Sequence, residues 1–301
     1  MDYINLNTVQ NNTYNDLFPS VSLDYAFNDL KSLSFSYKKG IQRPIPSIMR
    51  PFEEKISETS SYIGNEKIKP IYFDYSNLSY VFSNEKITLS TALFFQRFND
   101  PWQIVTFETG EQINGIPKII TTTKNIGKAD KYGIDITSTL KISNMLNFTA
   151  YAIIYNFDIT ASFETINTNN EAITLNYNNV SFEGDFSLLT QLKIPNIFNF
   201  KINAKHSLKS EGSYYNKKAY TFASAAINKD LFDKNATLSL TVDDIFKSKT
   251  TDRNRFDTNY FSKSIIKNKY RTIILSFIYR FNQSEKDRRI DFESKDINPN
   301  Y

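Results

Sequence analysis

Residues 272–281, TIILSFIYRF, separate by parity into two unlike sets: Ile273, Leu275, Phe277, Tyr279 and Phe281 alternate with Thr272, Ile274, Ser276, Ile278 and Arg280. Successive side chains of a strand point to opposite faces, so one face is unbroken aliphatic and aromatic while the other carries hydroxyls and a charge. The alternation recurs along the chain. Val21, Leu23, Tyr25 and Phe27 give way at NDLK to Leu33, Phe35 and Tyr37. Leu78, Tyr80 and Phe82 turn at SNEK into Ile87, Leu89, Leu93 and Phe95, and Ile134, Ile136 and Leu140 turn at SNM into Phe148 and Ile154. Phe182, Phe186, Leu188, Leu192 and Ile194 turn at PN into Phe200 and Ile202, and LFDKN leads into Leu238, Leu240 and Val242. Each pair predicts a hairpin with one apolar face.

Five tight turns thus alternate with longer, more polar connections at 40–70, 99–117, 162–178, 211–218 and 248–267. A soluble sandwich would cover the apolar face with a second sheet, whereas a membrane barrel covers it with lipid. Short turns at one end and large loops at the other favour the membrane barrel, whose short turns face the periplasm. The strands run about 9 to 14 residues, near the ~9 to 11 that cross a bilayer at a tilt and longer than the ~5 to 6 of a globular strand. Eleven strands are legible, and a partial one at 3–9 would make twelve, the even number expected of bacterial barrels. The predicted fold is all-β: an antiparallel transmembrane β-barrel segment over residues 1–281, followed by a charged periplasmic C-terminal tail at 282–301.

Composition is compatible with that reading and removes others. No run approaches the ~18 consecutive apolar residues of a spanning helix. A mean hydropathy of -0.43 suits alternating strands, whose polar lumen residues dilute the apolar half. Lys+Arg 36 against Asp+Glu 32 gives a net charge of +4 without a basic stripe, which argues against a nucleic-acid partner. With no cysteine, disulfides and thiolate metal sites are excluded. The opening MDYINLNTVQ has no basic n-region followed by an apolar h-region, so these residues are not expected to be a complete exported precursor.

Beyond the pattern, LFPSVSLDYAFNDLKSLSFSYKKGIQRP at 17–44 resembles a strand, turn, strand and arginine-proline segment of the barrel of TonB-dependent receptors. GNEKIKP at 64–70, KNIGKADKYGIDI at 124–136 and LSLTVDDIFKS at 238–248 are similar to three further segments of that family, in the same order. Glu66, Ile71 and Asp135 depart from the usual residues. The resemblance implies that the chain is the C-terminal half of a barrel of about 22 strands, with no plug domain or TonB-contact segment among its residues. It also implies an outer-membrane location and uptake of a large or scarce nutrient such as a siderophore, glycan or peptide. Its partners would be outer-membrane lipid, an extracellular nutrient ligand and, only through a plug, the TonB complex. The alternative is a passive pore or structural surface barrel of about twelve strands.

No catalytic, cofactor-binding or metal-binding residue is expected. His206 is the only histidine; it shares parity with Phe200, Ile202 and Ala204, so it belongs to the lipid side near the outer rim, while Ser207 points the other way and Leu208 stands where a same-face serine would be needed. Adjacent Asp243 and Asp244 project to opposite faces and form no carboxylate pair. Gly127-Lys128 lacks the preceding glycine of a phosphate loop. Glu183, Asp185, Lys193 and Lys205 fall on the lumen side. Trp102, Tyr214 and Tyr215 are the aromatics expected at the extracellular end, as interface anchors or ligand contacts, because Trp and Tyr join an apolar body to a polar tip.

Overall fold

Eleven strands each hydrogen-bond to their sequence neighbours in one antiparallel sheet. They are β1 Ser20–Asn28, β2 Lys31–Gln42, β3 Ile71–Ser83, β4 Ile87–Asn99, β5 Lys128–Lys141, β6 Leu146–Thr160, β7 Asn179–Ile194, β8 Phe198–Ser207, β9 Tyr220–Leu231, β10 Ala236–Asp243 and β11 Thr272–Tyr279. The computed structural model describes residues 2–3, 8–9, 15–167, 169, 171–212, 215–248, 250–257, 260–267 and 271–281. The charged tail at 282–301 lies outside the described residues.

The tight turns sit at 29–30, 84–86, 142–145, 195–197 and 232–235, all at one end of the sheet. Polar side chains build them locally. Asn28 Oδ1 accepts the Leu30 N–H at 2.9 Å, Asn84 Oδ1 accepts those of Lys86 and Ile87 at 2.9 and 2.7 Å, and Ser143 Oγ accepts those of Met145 and Leu146 at 3.2 Å. Short Asn and Ser side chains that bond the backbone two or three residues on are turn formers, which is why the chain reverses there. At the other end lie the connections 43–70, 100–127, 161–178, 208–219 and 244–271.

Register aligns the alternating residues across the sheet. Phe35, Leu78, Leu93, Ile134 and Ile154 are successive cross-strand partners, and so are Ile227, Leu240 and Leu275. This face is apolar and open: Leu93 is 58% exposed and Leu275 70%. Two residues nearer the loop end, the row Tyr37, Ser76, Phe95, Tyr132, Asn156 and Phe182 is rich in aromatics. Two further on, Lys39, Asp74, Arg97, Asp130 and Asp158 form a charged row. There Arg97 grips Asp130 through two hydrogen bonds of 2.8 Å, and the Tyr37 hydroxyl donates to Asp74 at 2.6 Å. Aliphatic belt, aromatic girdle and ionic border in that order match the hydrocarbon, interface and headgroup levels of a membrane.

The segment expected as a twelfth strand does not join the sheet. Asp2–Tyr3 pairs with Thr8–Val9 instead, in a separate two-stranded ladder. Around it the sequence is asparagine-rich and lacks the apolar alternation of a wall strand. Among the described residues no ladder joins β11 to β1, and both of these strands run from the loop end to the turn end.

The buried core is not behind the belt. Val105, Ala129, Ile159, Ala161, Leu175 and Tyr177 form it, with Phe98, Phe107, Ile126, Phe157, Phe163 and Ile173 packed against them. Phe98, Ala129, Phe157 and Ile159 occupy the lumen-side parity of β4, β5 and β6, and the others come from the loop-end connections. The lumen wall therefore changes from polar to apolar at its rim, where the connections fold against it.

Candidate functional site

The loop-end connections are β-structured. Trp102–Ile113 and Ile116–Asn125 form a hairpin whose turn residues Asn114 and Gly115 have φ of 52° and 78°. Two consecutive left-handed residues of type Asn-Gly suit a two-residue hairpin turn, since the type I′ geometry matches the strand twist. Ser60–Ile63 adds in parallel to Ile116–Asn125, with Glu53–Lys55 beyond it, to make a four-stranded sheet from two connections. A second hairpin, Ser162–Ile166 with Ala172–Asn176, meets the first through the Phe107 and Phe163 rings, 5.5 Å apart. Together they cap one side of the mouth.

Polar residues lock the cap to the rim. Asn125 Oδ1 accepts the Lys69 N–H at 2.7 Å, and its Nδ2 donates to the carbonyls of Lys69 and Asp100 at 3.0 Å each. Asn65 Nδ2 donates to the Thr123 carbonyl at 2.9 Å, and Ile68 beside it is buried. Gly127, at φ 79°, leaves no room for a Cβ: one there would stand 2.2 Å from the Thr160 carbonyl oxygen. The segments GNEKIKP and KNIGKADKYGIDI, far apart in sequence, thus meet in one clamp. Nearby, the Ser61 hydroxyl donates to Glu53 and holds its carboxyl below the usual range, with the charges of Lys118 and Lys55 adding to the effect. That contact is fully present above the ordinary carboxylate range and weakens as pH falls through the lowered value.

Trp102 is part of the clamp. Its indole N–H donates to the Lys69 carbonyl at 2.7 Å, and its ring is half-buried. Trp102→Phe is expected to cost about 1 kcal/mol locally by removing one hydrogen bond. Limited proteolysis should then cut the 43–70 connection faster, with the barrel band unchanged on gels. Tyr214 lies outside the described residues, and Tyr215 opens the strand Tyr215–Lys217 in the 208–219 connection.

Below the rim, the lumen wall carries a mixed charged cluster. Glu183 accepts from the hydroxyls of Tyr155 at 3.0 Å, Ser181 at 2.8 Å and Ser210 at 2.8 Å. Ser210 belongs to the 208–219 connection, so Glu183 ties that loop to the wall. Lys131 Nζ lies 3.9 Å from the centre of the Tyr155 ring. Asp185 receives the Ser207 hydroxyl and stands 3.7 Å from Lys205 Nζ. Lys193 is on the same face, nearer the turn end. His206 lies on the opposite face beside Phe186, its Nδ1 2.7 Å from Thr221 Oγ1. Asp243 accepts the Ser224 hydroxyl at 2.6 Å on the lumen face, while Asp244 leaves the strand at φ 51° and accepts the Ser248 N–H at 2.8 Å. Among the described residues no group of three or more His, Asp or Glu could hold a metal ion.

A family model described as the outer membrane protein beta-barrel family matches residues 1–279. The chain belongs to that family. Its place is the bacterial outer membrane, and the apolar belt is its lipid-facing surface. No curated protein matches its sequence. Among solved structures, this family member is similar to a variant of the ferric enterobactin receptor PfeA of Pseudomonas aeruginosa, solved with enterobactin. The identity is 14% and the TM-score 0.54, over 77% of this chain and 35% of the receptor. It is also similar to the siderophore receptor PirA of Acinetobacter baumannii, at 14% identity and a TM-score of 0.51, over 88% of this chain and 41% of that one. The barrel segment thus spans well under half the length of either receptor, and the likeness is one of fold.

Sequence reasoning placed the lumen charges and His206 on their faces but missed the clamp residues Asn65 and Asn125. The Asn-Gly pair at 114–115 was the available signal for the hairpin inside the 100–127 connection.

Proposed function

We propose that this chain forms part of the wall and the extracellular mouth of an outer-membrane receptor that imports a nutrient too large or scarce for passive pores. The observation carrying this reading is the inward-packed cap: long connections that fold into sheets and bury a core against the lumen wall narrow a mouth, which suits selective capture better than free diffusion. As in the TonB-dependent receptors that the sequence resembles, energy would come from the TonB complex through a plug domain. The extracellular nutrient would meet the 208–219 and 244–271 connections, with Tyr214 and Tyr215 as contacts and Trp102 holding the cap beside them. The chain is read as a transporter segment without catalytic chemistry.

Deletion of the gene in its native bacterium tests the proposal. Growth on the limiting nutrient should fail, return with the intact locus, and require an energised inner membrane. Uptake that persists after protonophore treatment, with steady ion conductance through the purified barrel in planar bilayers, would establish a passive pore instead. Phospholipid turnover that disappears in His206→Ala would overturn the non-enzymatic reading.

A further inference from the structure

The five loop-end connections are unevenly charged. Those at 208–219 and 244–271 carry eleven lysines and arginines against four aspartates and glutamates, whereas those at 43–70, 100–127 and 161–178 together carry seven against nine. The excess on the first pair is larger than the net +4 of the whole chain. Those two connections also meet in space. Ser210–Glu211, Tyr215–Lys217, Thr250–Asp257 and Tyr260–Lys267 form one four-stranded antiparallel sheet.

Register gathers the cations. Lys217 is the cross-strand partner of Arg253, and Tyr215 of Arg255; Ser264 and Ser262 stand opposite Arg253 and Arg255 on the other side. Directly paired positions share a sheet face, and so do positions two apart along a strand. Three cationic positions, two serines and a tyrosine therefore fall on one face. Cross-strand partners are about 5 Å apart, and like charges directly opposite each other destabilise a sheet. Same-face neighbours along a strand, as at 253 and 255, stand ~6.6 Å apart. A compact oxyanion bridging such a block offsets the repulsion, and guanidinium groups match carboxylate and phosphate oxygens two at a time.

We propose that this sheet is an anion-binding platform, and that the ligand gathered at the mouth is a soluble molecule with at least two phosphate- or carboxylate-type negative charges, held by Lys217, Arg253 and Arg255. The proposal rests on the receptor reading above and adds the ligand's chemical class. The platform is joined to the lumen wall through Ser210 and Glu183, so an anion captured there sits beside the path inward. The opposing acidic connections would steer such a ligand toward the basic side, because the field of uneven charge acts before contact.

Binding of inorganic pyrophosphate to the folded full chain in detergent, by titration calorimetry, tests this. Affinity should fall with salt, drop at least tenfold in the Arg253→Gln/Arg255→Gln double variant, recover in part with lysine at both positions, and stay within twofold in Lys118→Gln. Heat-modifiable gel migration shows that each variant is folded. Absence of binding by the folded chain, or equal binding by the double variant, overturns the platform. A second arm uses vesicles with and without lipopolysaccharide: if the double variant loses only lipopolysaccharide binding, the cations serve lipid phosphate and the soluble-ligand proposal fails. Unimpaired nutrient uptake by cells carrying the double variant would also overturn the platform while leaving the receptor reading intact. Pyrophosphate binding as expected, with no uptake lost on gene deletion, would do the reverse.

Discussion

Replacing Leu240 with arginine is expected to destabilise the barrel by about 2 to 4 kcal/mol, while Ser239→Arg one residue away should cost less than about 1 kcal/mol. Leu240 lies mid-strand in β10 with Ile227 and Leu275 as its cross-strand partners, on the apolar face and 41% exposed. An arginine there meets hydrocarbon. Ser239 stands between Asn228 and Ser276 on the other face, where an added cation meets a polar lumen. Urea titration of the two variants in lipid vesicles measures the difference. Equal costs, or ready labelling of a cysteine at 240 by aqueous maleimide, would show that the lipid and lumen faces have been exchanged.

The second large effect is expected in the cap. Val105 is 0% exposed within the core formed by the two hairpins and the rim of β5 and β6. Val105→Asp puts a carboxylate where no water reaches, a change expected to cost at least about 3 kcal/mol. The loss should be local, because the wall strands keep their own ladders. Protease added to outer-membrane fragments should cut the 100–127 and 161–178 connections rapidly in the variant and slowly in the parent, with the same heat-modifiable barrel band in both. Loss of that band would show instead that the cap is needed for the wall to assemble.

These experiments probe two regions that the sequence revealed unequally. Wall strands were legible because a two-residue period with one lipid face leaves a plain alternation, as in Leu238, Leu240 and Val242, and a one-residue slip would turn every such residue into the lumen. Turns were legible through Asn and Ser. The hairpin at 102–125 was not, because IITTTKN packs partly on both sides and shows no clean alternation, although its Asn-Gly turn stood in plain sight. The clamp was hidden for another reason. Asn125 bonds the backbone of Lys69, 56 residues away, and a contact between an amide side chain and a main chain leaves no periodic trace. Resemblance marked both segments without saying that they touch. At the 208–219 connection the sequence supplied only aromatic candidates; the pairing of Lys217 with Arg253 became visible once two distant connections shared a ladder.

The count of eleven, with β1 and β11 both descending from the loop end, restricts what can stand next to the sheet's two margins. Bending it round to meet itself would set two descending strands side by side. So would a ring of two, three or more copies, because rotation about an axis normal to the membrane never reverses a strand's sense. Every such seam is parallel and lacks the alternating close pairs of the antiparallel ladder. A wall that alternates all the way round needs an odd complement of strands from outside the sheet, so the neighbour at these margins differs in kind from the chain itself.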